Sequence, residues 1–282
     1  MELPSEPGPI GIFDSGYGGL TILDSIRRRL PGYDYIYLGD NARAPYGSRS
    51  FDVVLDFTRQ AVEELFSRGC HLVILACNTA SAKALRSIQQ QVLPALDPDR
   101  RVLGVIRPTV EKLGAITRSG HIGVLATQGT VDSGSYGLEI QKLYDGGMSV
   151  CEMAAPMWVP LIENGEADNP GADYFVRKYV GRIMDADPKI DSIILGCTHY
   201  PILLPKIRQF APEGVSIIPQ GEIVAESLHD YLRRHPEIDR KCTRNGGVKF
   251  LTTENSGKFN ALASKFINCE VDSRRVDIAG LK

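Results

Sequence analysis

Leu72-Val73-Ile74-Leu75-Ala76-Cys77-Asn78-Thr79 is an apolar run that ends abruptly in a thiol, an amide and a hydroxyl. So short a run, aliphatic and closed by polar groups, reads as a buried strand whose carboxyl end reaches a surface. Ser192-Ile193-Ile194-Leu195-Gly196-Cys197-Thr198-His199 repeats that layout in the second half of the chain. Each has an earlier companion: Ile10-Gly11-Ile12-Phe13 runs into Asp14-Ser15-Gly16, and Ile122-Gly123-Val124-Leu125 runs into Ala126-Thr127-Gln128-Gly129-Thr130. Further strands are expected at 35–38, 102–105, 149–153 and 215–218, with segments of helical period between them. The clearest helix is 51–68, where Val54, Leu55, Val62, Leu65 and Phe66 share one face, Ser50 can cap the start and Gly69 the end. Strands alternating with helices define an α/β fold with mostly parallel sheets, here in two halves of like architecture. The second domain is expected at 104–208, with 209–282 returning to the first domain, 1–103. Ligands of open parallel sheets bind beyond the carboxyl ends of strands, so chemistry is expected at these tips, and if the halves face each other the two cysteines do too.

The whole chain limits what that chemistry can be. Its 282 residues are 43% hydrophobic and 23% charged, and 32 Lys+Arg against 34 Asp+Glu leave a formal charge of -2. No basic excess points to nucleic acid, and the one compact cationic run, Arg27-Arg28-Arg29, reads as a solvated helix face. The opening Met1–Pro9 stretch lacks the basic and apolar regions of a secretion signal, and no apolar stretch approaches the roughly 18 residues of a membrane span. A cytoplasmic chain is therefore expected, with its six cysteines reduced.

A cysteine that ends an apolar strand is commonly a small buried hydrophobe. Packing gives no reason, however, for strand, small residue, cysteine and polar residue to recur in both halves. Two opposed thiols suit inversion at a carbon bearing hydrogen, which needs one acid/base group on each face. A thiol with a reference pKa of about 8.5 serves as thiolate base or thiol acid near neutral pH once its surroundings tune it. Asn78 and Thr79 follow Cys77, and Thr198 and His199 follow Cys197, where His199 can assist the adjacent thiol. Cys70, Cys151, Cys242 and Cys269 have no such flanks and read as core or surface thiols. The tight pairs of a zinc site, and the Cys-x-x-Cys of a redox site, are absent.

Two loops carry further candidates. Asp14-Ser15-Gly16-Tyr17-Gly18-Gly19 is a glycine-rich strand-to-helix turn able to present backbone N–H groups to a carboxylate, or simply a tight turn. Asp14 reads as a helix cap or as a partner for a substrate ammonium or a thiol. Ala44-Pro45-Tyr46-Gly47-Ser48 reads as a loop in which Tyr46 packs or meets ligand. Glu163 would by default be an exposed helix or turn carboxylate.

Phe13-Asp14-Ser15-Gly16, Pro45-Tyr46-Gly47, Ala76-Cys77-Asn78-Thr79-Ala80-Ser81 and Leu195-Gly196-Cys197-Thr198-His199-Tyr200-Pro201, in that order, resemble the glutamate racemases. Gly129–Tyr136 and Phe250–Thr253 extend the resemblance over nearly the whole chain. It implies two pseudo-symmetric α/β domains with the active site between them, and interconversion of L- and D-glutamate without pyridoxal phosphate or metal. It implies Cys77 and Cys197 as the proton donors and acceptors, assisted by Asp14, His199 and Glu163. Asp14, Ser15, Tyr46, Gly47, Asn78, Thr79, Thr198 and His199 are then the substrate contacts, with Thr127 and Thr130 as lesser candidates. The family feeds D-glutamate to peptidoglycan synthesis in the bacterial cytoplasm, often as a homodimer. Two segments depart from the pattern: Pro219-Gln220-Gly221 stands where many members have an Asp-Ser pair, and Arg107 lies in a variable segment. Aspartate racemase chemistry, on a side chain one methylene shorter, and a non-catalytic amino-acid binder are the competing readings.

Overall fold

The computed structural model describes residues 3–267 and 269–278, so Met1 and Glu2 of the opening stretch lie outside the described residues. The chain divides into two compact units, Met1–Val105 with Gly221–Lys282, and Ile106–Gln220. Strands of the first unit are β1 (Ile10–Asp14), β2 (Tyr35–Gly39), β3 (Leu72–Leu75) and β4 (Arg101–Gly104). The second unit holds β5 (His121–Ala126), β6 (Ser149–Ala154), β7 (Ser192–Gly196) and β8 (Ser216–Ile218). The chain then returns to the first unit for β9 (Val248–Thr252) and β10 (Ser273–Arg275).

Parallel pairing orders the first sheet β10-β9-β2-β1-β3-β4 and the second β6-β5-β7-β8. Both faces of the first sheet are buried. Ile10, Ile12, Tyr35, Tyr37, Leu72 and Ile74 point into one core, against helices Leu20–Arg29 and Gly221–Arg234. Phe13, Ile36, Leu38, Val73 and Leu75 point into the other, against helix Phe51–Ser67. Strands covered on both sides read as unbroken apolar runs, and each fully buried aliphatic side chain contributes about 1.5 to 3 kcal/mol.

The expected helix starts where Ser50 accepts the Val53 N–H at 3.5 Å. It ends at Gly69, whose φ of +91° turns the chain back toward β3, a conformation that glycine adopts without steric cost. The basic run ends helix Leu20–Arg29, where Arg28 pairs with Asp24 and Glu222 and Arg29 with Glu226.

The expected domain boundary needs correction. Residues 209–220 belong with the second unit, because β8 pairs with β7, Ser192 opposite Ser216 and Ile194 opposite Ile218. The strand itself is readable from its residues, but whether it extends the sheet of the preceding strand, β7, or returns to the first sheet is decided by pairing. β9 and β10 were not among the expected strands. β9 follows β2 in register from Tyr35–Val248 to Gly39–Thr252, and β10 is a three-residue edge strand with two exposed arginines.

Candidate active site

In the first sheet the chain leaves β1 for β2 on one side and later places β3 on the other; in the second it leaves β5 for β6 and later places β7 opposite. Each sheet therefore has one topological switch point, between β1 and β3 and between β5 and β7, the position at which parallel sheets hold ligands. Cys77 lies two residues past β3 and Cys197 directly after β7, one thiol at each.

Around Cys77 the backbone leaves the strand straight into helix Asn78–Lys83, with the cysteine as its N-cap. Its Sγ accepts the Ala80 N–H at 3.5 Å and lies 3.4 Å from Ser15 Oγ. The sulfur thus sits at the N-terminal end of that helix with the Ser15 hydroxyl beside it. Asp14, 1% exposed, accepts the Gly16 N–H on Oδ1 at 2.9 Å, and the buried Tyr37 hydroxyl donates to the Gly16 carbonyl at 2.9 Å, so both polar backbone groups of Gly16, next to Ser15, are bonded. Asp14 thus serves the turn, and the N-cap position of the following helix is Gly19. That glycine is required: a Cβ there would lie 2.4 Å from Asp14 Cβ and 3.1 Å from Ala76 Cβ. Asn78 and Thr79 are buried in the first turn after the thiol.

Around Cys197 the neighbouring groups differ. Its Sγ lies 3.9 Å from His199 Nδ1, and His199 Nε2 donates to Glu163 Oε1 at 2.9 Å. Burial disfavours a charge on His199, but the contact with Cys197 and the Glu163 carboxylate outweigh it and raise the imidazole to about 10. At neutral pH the ring is an imidazolium held by Glu163 beside the Cys197 sulfur. Glu163 ends helix Trp158–Glu163, which is seated by Trp158 packing edge-on against Tyr200, ring centroids 4.7 Å apart. Thr198 is buried beside the thiol. At the tip of β5, Thr127 caps helix Gln128–Asp132 and its hydroxyl lies 3.1 Å from that of Thr130.

Within the first unit, then, Asp14, Ser15, Cys77, Asn78 and Thr79 gather at one switch point, and within the second Cys197, Thr198, His199 and Glu163 gather at the other. Tyr46 is less direct: 1% exposed, it packs against Phe13 and Phe57, and its hydroxyl donates to Asp40. Burial and the Asp40 charge hold that phenol well above its ordinary pKa, so it stays a donor. Tyr37 and Asp40 escaped the sequence reading. Asp40 carried a signal, since it follows β2 as Asp14 follows β1's apolar run. Tyr37 carried none beyond its place in a strand. Cys70 and Cys242 are buried and burial pushes both thiols up to about 12, which keeps them protonated and unreactive. The one metal-like grouping among the described residues, Glu226, His229 and Asp230, is met by Arg29, which bonds Glu226 at 2.6 Å and His229 Nδ1 at 2.8 Å and makes it an ion-pair cluster.

A parallel α/β protein with a buried thiol at the switch point of each sheet is the class these features define. Residues 16–228 match the profile of the Asp/Glu/hydantoin racemases, and the chain belongs to that family and so to the isomerases. A glutamate racemase of Roseobacter denitrificans is 39% identical over 273 residues, which cover 93% of this chain and 98% of that protein. Among solved structures, a glutamate racemase isoform from Bacillus anthracis superposes with a TM-score of 0.87 at 33% identity, covering 96% of this chain and 97% of that one. The glutamate racemase of Francisella tularensis, solved with D-glutamate, gives 0.85 at 29% identity, with coverage of 97% and 98%.

Proposed function

We propose that the protein interconverts L- and D-glutamate without cofactor or metal, using Cys77 and Cys197 as the two acid/base groups. The observation that carries this is the repeated placement of one thiol at each sheet's switch point, each with its own polar partners: Ser15 and the Ala80 N–H for Cys77, the His199–Glu163 pair for Cys197.

In either direction one thiolate removes the proton from the glutamate α-carbon. The electron pair delocalises into the adjoining carboxylate, and the other cysteine, as thiol, returns a proton to the opposite face. One proton leaves and one arrives, so the thiols exchange protonation states each turnover. N–H groups at the starts of the helices after β3 and β5, with Asn78, Thr79 and Thr198, suit the substrate carboxylates; Asp14 suits the ammonium. Ser15, Tyr46, Gly47 and His199 complete the proposed contacts. Among the described residues no helix is long and apolar enough to cross a membrane. A bacterial cytoplasm, where D-glutamate enters peptidoglycan, is the setting proposed, with a homodimer as the assembly that sedimentation would test.

The experiment is circular-dichroism polarimetry of metal-free protein with L-glutamate in D₂O, followed by mass spectrometry of the amino acid. Loss of ellipticity with one deuterium entering at Cα is the expected result. Inversion of L-aspartate with L-glutamate untouched would move the substrate and keep the chemistry; no reaction with either would leave an amino-acid binder.

A further inference from the structure

Asp40 is completely buried, and its carboxylate gathers donors from separate stretches of the first unit. Oδ2 accepts Arg43 Nε at 2.7 Å and the Tyr46 hydroxyl; Oδ1 accepts the Thr253 hydroxyl, from beyond β9, at 2.9 Å. The Thr253 hydroxyl in turn accepts the Ala42 N–H at 3.0 Å, and the Asp40 N–H donates to the Asp14 carbonyl at 3.0 Å. Arg43 is locked by Gln60 and by the face of Phe57, 4.2 Å from its guanidinium carbon. Lys83, on the helix that Cys77 caps, donates to the Arg49 carbonyl at 2.8 Å and ties down the far end of the same loop.

A buried carboxylate is tolerated only when its charge is paired and its oxygens are bonded, and a network of this kind rigidifies what it joins. What it joins here is the 41–49 loop and the backbone of Asp14. From this we infer that Asp40 is a positioning residue for substrate binding: through Tyr46 and Arg43 it holds the Tyr46–Gly47 backbone in place relative to Asp14, without itself touching substrate. The inference rests on the glutamate racemase reading, in which Tyr46 and Gly47 meet the substrate. A loop held in place before and during reaction contributes equally to ground and transition states, so loosening it raises KM and leaves kcat nearly unchanged.

The test compares wild type, Asp40→Asn, Tyr46→Phe and the double variant by initial rates of glutamate inversion in both directions, with thermal unfolding alongside. Asp40→Asn keeps the shape but turns an amide N–H toward donors. We expect KM to rise about tenfold or more in both single variants, kcat to stay within about threefold, and the double variant to be no worse than Asp40→Asn alone, as for groups in one network. A merely structural Asp40 would lower kcat with the folded fraction and leave KM alone, which overturns the inference. If Asp40→Asn does not fold, Tyr46→Phe decides: an unchanged KM there overturns it as well. Wild type that fails to invert glutamate overturns the racemase reading and this inference with it, whereas an active wild type with unaltered KM in the variants sinks the positioning role alone.

Discussion

Replacing Glu163 by glutamine removes the carboxylate that holds His199 while keeping the side chain's size. A hydrogen bond to a charged group contributes about 1.5 to 3 kcal/mol. The Glu163 side chain is 31% exposed, so water screens its half of the pair and the low end applies, about 1.5 kcal/mol. At about 1.4 kcal/mol per pKa unit, His199 should fall by about one unit, from about 10 to about 9, because the contact with Cys197 remains. The ring then stays charged at neutral pH. The variant should invert glutamate at nearly the wild-type rate near pH 7 and lose activity on the alkaline side about one unit earlier. Stability follows the same sign. A histidine raised in the folded state adds stability that is fully present below its unfolded pKa of about 6.5 and is lost as pH rises through about 10. Glu163→Gln removes part of that stability. The direct assay is ¹⁵N-detected titration of the imidazoles, of which the chain has only five, with His199→Asn for assignment. A His199 pKa that does not move would refute the role given to Glu163; one that drops below neutrality would refute the share given to Cys197.

Cys77→Ala and Cys197→Ala should each lower kcat/KM for inversion by about a thousandfold or more, within the usual range for a positioned acid or base, with thermal unfolding nearly unchanged. More than a tenth of the wild-type rate in either purified variant would break the two-thiol assignment. Gly19→Ala should cost about 1 to 3 kcal/mol in denaturant unfolding and reduce kcat/KM at least about tenfold, since the new Cβ meets Asp14 Cβ at 2.4 Å and the rigid Ala76 behind it. Wild-type kinetics in that variant would show that the Asp14 turn tolerates displacement.

The strands that carry the thiols were legible because their residues are apolar on both faces and end sharply in polar groups, a pattern carried by neighbours in the chain. Ser50 and Gly69 were legible as helix ends for the same reason. Glu163 was not. It is 36 residues from His199, and nothing in its own neighbourhood marks it as the imidazole's partner. Asp40 shows the other side of the problem: a carboxylate after a strand is visible, but Arg43 and Tyr46 meet it through the local loop, and the distant Thr253 meets it only because β9 pairs with β2.

By itself, then, the sequence determined the α/β class, the recurrence of a strand-end cysteine in each half and the residues next to each thiol, all of which depend on contiguous residues and their periodicity. Only the tertiary structure decided the order of strands in each sheet, the placing of β8 in the second unit, the His199–Glu163 pair and the network around Asp40. Those depend on which distant backbone edges pair and in what register, and the free energy that selects them is collected across the folded chain, where no short window of sequence records it.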